Sequence, residues 1–187
     1  MILIAAFTVL ITSLSAAVDD RRVAAFGQEA PAVVVERQGT VQALEALRGK
    51  WVVLSFWSST DPVSRLTQNR IASIVKSRPA MTAGEKSNDA EIEFRTPAGT
   101  YQLDARTEVE VLSVNFDRSE PLMNEIVKLD NLLESSQSRV SSSRDIHHLC
   151  EAFRMDNGLR AFIINPAGEI VMADPDEDAL RLLLASR

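Results

Sequence analysis

The chain has one cysteine, Cys150, and its two histidines, His147 and His148, lie close to it. A helix would bring His147 and Cys150 to one face, where an imidazole and a thiolate can bind a metal or carry out nucleophilic chemistry. A metal site needs further ligands, and the sequence holds no other Cys or His. Cys150 also shares an apolar face with Ile146 and Leu149, which favours a core cysteine. The alternative is a monothiol activity through Cys150, and it requires an exposed thiol.

A group of acidic residues precedes the last predicted helix: Asp174, Asp176, Glu177 and Asp178. A calcium loop of the EF-hand type needs a defined spacing of carboxylates and a glycine, and both are missing here. We therefore interpret these charges as compensation of the helix dipole. No phosphate loop, nucleophile elbow or zinc-binding helix motif occurs, so we predict no cofactor and no metal.

Asp61 stands between a run of apolar residues and a predicted helix. Aspartate is a favoured N-cap residue, and Pro62 then occupies the first helical position, where its missing N–H has little effect. The functional alternative is that the Asp61 carboxylate contributes to a ligand-binding site at the helix start. The sequence favours the cap.

Two segments carry a family resemblance. Residues 49–65 read GKWVVLSFWSSTDPVSR and resemble the core of TlpA/ResA-type thioredoxin-like proteins, in which a buried strand leads into Cys-x-x-Cys at a helix N-terminus. Residues 162–170 read FIINPAGEI and resemble the closing hairpin of that family. The resemblance covers about residues 27–76 and 109–185. It implies an α/β thioredoxin-like fold, with a central mixed sheet flanked by helices.

The same resemblance implies a degenerate redox site. The two dithiol positions are Asp61 and Ser64, separated by Pro62 and Val63, and the position of the family's cis-proline is Leu159. Disulfide exchange needs a thiolate, and neither a carboxylate nor a neutral hydroxyl can replace it. A non-proline residue at position 159 should have a trans peptide bond, because the cis form costs about 2.5–4 kcal/mol. The substitutions therefore predict no dithiol redox activity.

Three hypotheses for function follow. The first is an exported thioredoxin-like protein in a binding or scaffolding role, whose partner is a protein or a small ligand. The second is an enzyme of the thiol-disulfide oxidoreductase class, as the resemblance alone would suggest. The third is the monothiol activity of Cys150. The residues at positions 61, 64 and 159 favour the first hypothesis.

Composition and the N-terminus restrict partners and location. A chain of 187 residues is long enough for one domain with a substantial core. The formal net charge of -6 argues against nucleic acid as a partner. Residues 1–22 resemble a signal peptide that lacks the positive charges usually found before the apolar run, or else form an uncleaved anchor, the only case in which we expect membrane contact. We predict a periplasmic or secreted protein whose thioredoxin-like domain spans residues 23–187.

Hydrophobic patterns and turn residues predict the elements in order. A hairpin turns at Gln38–Gly39, and a buried strand at 51–57 leads into a helix that begins at Asp61. An insertion at 78–108 contains a loop and a small hairpin, and a strand at 109–116 follows it. The remaining predictions are a helix after Ser119, a serine-rich linker at 135–143, a short helix from Asp145, strands at 161–164 and 169–173, and a last helix at 176–185.

The apolar residues of two helices predict which faces are buried. In the helix after Asp61 the predicted apolar face is Val63, Leu66, Ile71, Ile74 and Val75. In the helix after Ser119 it is Leu122, Ile126, Leu129 and Leu133.

Overall fold

The computed structural model describes residues 26–77, 91–104 and 106–185. The expected signal peptide or anchor at 1–22 and the predicted loop at 81–90 lie outside this part and stay predictions. Within the described residues, no helix has the length and apolar character needed to cross a membrane.

The described chain forms an α/β structure in which one large sheet carries helices on both faces. Its strands are β1 (Gln28–Glu29), β2 (Val34–Arg37), β3 (Thr40–Ala43), β4 (Trp51–Trp57), β5 (Ile92–Thr96), β6 (Gly99–Leu103), β7 (Val109–Asn115), β8 (Gln137–Arg139), β9 (Ala161–Ile164) and β10 (Glu169–Ala173). Its helices are α1 (Pro62–Lys76), α2 (Glu120–Leu129), α3 (Ser143–Ala152) and α4 (Glu177–Ala185), with short 3-10 helices at Leu44–Leu47 and Glu134–Ser136. The large sheet has the order β1-β10-β9-β4-β7-β8-β2-β3, and β5 pairs with β6 separately.

Strand β4 lies in the middle of the large sheet. It pairs in parallel with β7 and antiparallel with β9, and all of its residues are buried. A continuous run of apolar residues suits a strand that is covered on both faces, because neither side has to be polar. The prediction of a buried central strand at this position is therefore confirmed.

Alternate residues of β4 contribute to cores on opposite faces of the sheet. On one face, Phe56 packs against Phe153 and Phe162, with ring centroids 5.0 and 6.3 Å away, and helix α3 covers this core. On the other face, Trp51 and Val53 pack with side chains of α1 and α4. Helix α1, which follows β4 in the chain, therefore packs on the face of the sheet that Trp51 and Val53 share.

The hairpin of β5 and β6 is part of the second core. Phe94 and Leu103 are buried, and the rings of Phe94 and Tyr101 meet Trp51 edge-on, with centroids 5.6 and 5.2 Å away. The predicted hairpin within the insertion is confirmed. Its apolar residues cover the beginning of β4, so the hairpin supports the sheet.

The predicted buried faces of two helices are wrong in part. In α1, Ser64 and Gln68 are buried, whereas Val63 and Leu66 are 70% and 59% exposed. The buried polar groups have partners, because Gln68 Nε2 donates to Ser55 Oγ in β4 at 2.8 Å. In α2 the exposed residues include Leu122 and Leu129, and the buried residues are Met123 and Val127. The buried face of α1 therefore combines apolar residues such as Ile71 and Ile74 with polar residues that have hydrogen-bond partners, which apolar spacing does not reveal.

The prediction of a serine-rich linker at 135–143 is also wrong. The segment holds the end of a 3-10 helix, strand β8 between β7 and β2, and the start of α3. Ser138 Oγ donates to the backbone carbonyl of Ser113 at 3.0 Å, and Trp57 Nε1 donates to Gln137 Oε1 at 3.0 Å. Such hydrogen bonds allow polar residues to lie in a buried strand.

Candidate functional site

Asp61 forms the N-cap of helix α1. Its backbone is extended, and its Oδ1 accepts a hydrogen bond from the backbone N–H of Val63 at 3.1 Å. Pro62 occupies the first turn, as the sequence predicts. The carboxylate therefore caps the helix, as the sequence predicts. Whether it also belongs to a ligand site depends on the residues around it.

Ser64 joins the helix to the loop that precedes it. Its side chain is buried, and its Oγ donates to the backbone carbonyl of Asp61 at 3.1 Å and accepts from the backbone N–H of Ser58 at 3.3 Å. The backbone N–H of Asp61 also donates to the carbonyl of Ser58, at 3.1 Å. The Ser58–Asp61 loop is therefore closed on itself through one buried hydroxyl.

Asp117 holds the same loop from the neighbouring strand. Its carboxylate accepts hydrogen bonds from Ser58 Oγ at 2.7 Å, from the backbone N–H of Ser59 at 3.0 Å, from Ser59 Oγ at 3.0 Å and from Asn115 Nδ2 at 2.9 Å. Sequence reasoning did not select Asp117 as a site residue. The available signal was its position after β7, because parallel neighbouring strands end at the same edge of a sheet.

A groove of about 460 Å³ lies beside the start of α1. It runs between the helix start and the segment that leads from α3 into β9. Its lining residues are Asp61, Val63, Arg154, Asn157, Gly158, Leu159, Arg160 and Asp174. Positions 61, 63 and 159, which the family resemblance assigns to opposite sides of one site, therefore line the same groove. The assignment of dithiol and proline roles to these positions still rests on the resemblance.

The far wall of the groove is held by a short ion pair. Arg160 donates to Asp174 Oδ2 from Nε at 2.8 Å and from Nη2 at 2.6 Å, and its guanidinium lies 5.6 Å from the centre of the Phe162 ring. Leu159 is half-buried against the aromatic core. All described peptide bonds are trans, including the one before Leu159. This wall is anchored to β9 and β10 and gives the groove one fixed side.

The near side of the groove is apolar at its surface. Val63 lines the groove, and Leu66 lies one turn further along the helix; both are among the large exposed apolar side chains of the described chain. Arg65, between them, makes a two-point ion pair with Asp130, at 2.9 and 2.8 Å. The beginning of α1 thus shows apolar groups to the outside and keeps polar groups inside.

Cys150 is half-buried and packs against the aromatic core. Burial raises the pKa of the Cys150 thiol, and the negative charge of Asp156 raises this pKa further. The thiol of Cys150 is therefore less ionised than that of a free cysteine. The sequence predicts a fully buried cysteine, and the structure shows a half-buried one. Cys150 is not among the residues that line the groove.

The histidines and the acidic residues give no metal site within the described part of the chain. His147 Nε2 lies 3.4 Å from Glu151 Oε1 on the exposed side of α3. Asp176 Oδ1 accepts from the backbone N–H of Ala179 at 2.8 Å at the start of α4, and Glu177 pairs with Arg181 at 2.9 Å. These two acidic residues have the helix-start role that the sequence predicts.

Comparison with known proteins gives likeness in structure only. No model of a protein family matches the sequence, and no curated protein matches it either. The thioredoxin domain of a thiol-disulfide oxidoreductase from Bacteroides vulgatus is similar, with a TM-score of 0.60 and 18% identity over 84% of this chain and 94% of that one.

Two further solved structures are also similar to this chain. A thiol:disulfide interchange protein from Bacteroides sp. has a TM-score of 0.60 and 18% identity over 84% of this chain and 86% of that one. A thioredoxin-like protein from Parabacteroides distasonis has a TM-score of 0.52 and 22% identity over 73% and 80%. At such identities the likeness shows the fold, and the fold of this chain is thioredoxin-like.

Proposed function

We propose that this chain is an exported thioredoxin-like protein that binds a partner in the groove beside Asp61 and carries out no dithiol chemistry. The observation that carries the proposal is the polarity of α1. The helix buries Ser64 and Gln68, exposes Val63 in the lining of the groove, and exposes Leu66 one turn further along. Exposed apolar groups beside a concave site are typical of binding surfaces.

The start of α1 has no cysteine thiol that could carry out disulfide exchange. Positions 61 and 64 carry a carboxylate and a hydroxyl, and the sequence contains a single cysteine. That cysteine is half-buried, and its pKa is raised. A dithiol–disulfide cycle within one chain needs two cysteines, so these residues support a binding role.

The groove suits a segment of protein chain. Its lining combines the apolar side chains of Val63 and Leu159 with charges of both signs, including the Arg160–Asp174 pair. Mixed apolar and polar linings of this kind are common in sites that bind peptides or small molecules. The net charge of -6 does not favour nucleic acid. A small ligand is the alternative occupant, and export rests on the resemblance of residues 1–22 to a signal peptide.

The test compares two exposed apolar residues. Leu66→Lys changes the exposed apolar side chain one turn beyond Val63 on α1, and Val41→Lys changes a residue that is 80% exposed on β3, in a different part of the sheet. The parent protein and both variants each carry a photo-crosslinking amino acid in place of Val63, and all three are used to capture partners from the exported fraction. We expect Leu66→Lys to lose the captured partner and Val41→Lys to keep it. Equal capture by both variants would contradict the proposed binding site.

The second candidate is a thiol-disulfide oxidoreductase. The observation in its favour is that the similar structures include a protein of that name and a thiol:disulfide interchange protein. In this chain such an activity would have to use Cys150, the third hypothesis from the sequence. Insulin reduction by the wild-type protein, with Cys150→Ser as the control, tests both the oxidoreductase activity and its dependence on Cys150. Acceleration that is lost in Cys150→Ser would establish the monothiol activity.

A further inference from the structure

We propose that Asn157 is a deamidation site, at which reaction with water places a carboxylate on the wall of the groove. Asn157 and Gly158 lie in the loop between α3 and β9, and both line the groove. They form the only Asn-Gly pair of the chain. The modification itself depends on this loop alone, and its effect on a partner rests on the proposed function.

The surroundings of Gly158 leave room for the reaction. Asn157 and Gly158 are both exposed. Gly158 has φ of +126°, and a methyl group at its Cα would meet no atom within 4 Å. Its N–H donates to the carbonyl of Met155 at 3.3 Å, a long and therefore weak hydrogen bond. The backbone nitrogen of Gly158 is thus held only by a weak hydrogen bond. It directly follows Asn157, whose side-chain amide carbon it must attack.

The reaction proceeds in two balanced steps. The backbone nitrogen of Gly158 attacks Cγ of Asn157 and loses its proton to water, the new N–Cγ bond forms, and the Cγ–Nδ2 bond breaks as the departing NH2 group takes a proton from water and leaves as ammonia. Water then adds to either carbonyl carbon of the five-membered imide. Opening on one side gives aspartate, and opening on the other gives isoaspartate, in which the main chain continues through the former side-chain carbon. Neither step needs an oxidant, a reductant or another protein group.

Asn165 provides a matched control within the same chain. It is followed by Pro166, which has no N–H and cannot form the imide. Asn165 is also buried, its Nδ2 donates to Glu169 Oε2 at 2.8 Å, and its Oδ1 accepts from the backbone N–H of Glu169 at 2.9 Å. Chemistry and structure therefore both protect this second asparagine.

Deamidation changes the charge of the groove. The lining has two carboxylates, from Asp61 and Asp174, and two guanidinium groups, from Arg154 and Arg160, so conversion of Asn157 leaves it with one more negative than positive charge. Isoaspartate also lengthens the main chain two residues before Leu159, which shifts that wall. Either product makes the groove less favourable for a partner that presents negative charge, because like charges would then face each other.

The experiment follows mass and binding separately. The folded full-length protein is aged in mildly alkaline buffer and digested with trypsin. Cleavage after arginine gives one peptide of residues 155–160, which contains Asn157, and another of residues 161–181, which contains Asn165. Deamidation raises a peptide's mass by about 1 Da. A synthetic peptide of residues 155–160 gives the rate without the fold, and Asn157→Gln serves as the variant that reacts slowly.

We expect the folded protein to deamidate at Asn157 within about tenfold of the free peptide, because an exposed loop restrains its backbone little. The Asn165 peptide should keep its mass. An Asn157 that stays intact in the folded protein while the free peptide reacts would overturn the site. For a captured partner that presents negative charge, Asn157→Asp should weaken capture about three- to tenfold relative to Asn157→Gln. Equal capture by these variants, or no capture by the parent, would overturn the regulatory effect, and the mass result would stand independently.

Discussion

Ser64 and Asp61 stabilise the same turn from its two ends. The Ser64 hydroxyl donates to the main-chain carbonyl of Asp61 at 3.1 Å, while the Asp61 carboxylate accepts from the N–H of Val63 at 3.1 Å. The two positions that carry thiols in the family resemblance thus carry a cap and a buried hydroxyl here. Because both side chains are engaged within the loop and helix, the turn keeps its shape without a disulfide.

We predict that Asp61→Ala lowers the free energy of unfolding by about 0.5–2 kcal/mol, because the N–H of Val63 loses its acceptor. Asp61→Asn and Asp61→Ser should cost less, since both keep an oxygen at this position. Denaturant midpoints of the three variants provide the measurement. If Asp61→Ala is as stable as the parent, the cap has no energetic role, and the result favours the interpretation of the carboxylate as part of a ligand site.

We predict that Asp117→Ala destabilises the domain by about 1–3 kcal/mol, because it leaves the N–H of Ser59 and the hydroxyl of Ser58 without their acceptor. Asp117→Asn should lose less, because its amide oxygen still accepts one of these bonds. Thermal unfolding of both variants gives the comparison. Equal stability of the alanine variant and the parent would show that the loop is held by Ser64 alone.

We predict that the β5–β6 hairpin cannot be removed without loss of the fold. Phe94→Ala should cost about 3–5 kcal/mol, because Phe94 is buried against Trp51. Arg95→Ala is the matched control, since the Arg95 side chain is 80% exposed on the same strand. Chemical denaturation distinguishes the two. A small effect of Phe94→Ala would mean that the hairpin is a separable appendage.

The sequence predicts the strands and helices well because these follow from local patterns. The apolar run of β4, the turn at Gln38–Gly39 and the cap at Asp61 each depend on neighbouring residues only. The buried faces of α1 and α2 and the strand in the serine-rich segment were not predictable in this way. They depend on partners far along the chain, such as Ser55 for Gln68 and Ser113 for Ser138.

The candidate site was predictable in part for the same reason. The family resemblance brings Asp61, Val63 and Leu159 together, and the groove contains all three. Asp117 and the Arg160–Asp174 pair lie on elements whose ends meet only in the folded sheet. Apolar spacing and residue type carry no signal for such meetings, and the signal for Asp117 is instead its position after β7.

We predict that native Cys150 reacts slowly with a thiol reagent and that denaturant restores fast labelling. The thiol is half-buried, and its pKa is raised, so the reactive thiolate is scarce in the folded protein at neutral pH. Because the pKa of Cys150 is higher in the folded than in the unfolded protein, its contribution to the free energy of unfolding is complete below the unfolded pKa of about 8.5. This contribution is lost as the pH rises through the folded pKa. Alkylation rates and unfolding free energies measured across this alkaline range test both statements. Immediate stoichiometric labelling of the native protein would favour the monothiol hypothesis.

We predict that the double variant Asp61→Cys with Ser64→Cys folds and gains weak reductase activity. Cysteine is close in size to serine at the buried position 64, and position 61 is the N-cap of α1, where amide groups and the helix dipole lower the pKa of a thiol. The activity should stay weak because Leu159, on the opposite wall of the groove, is not the proline of the family. Insulin reduction with dithiothreitol measures the gain, and each single variant is the control, since one cysteine at this site cannot complete the dithiol cycle. Turnover equal to that of a thioredoxin would show that the proline position is dispensable, and a double variant that fails to fold would show that the Ser64 hydroxyl is required to close the turn.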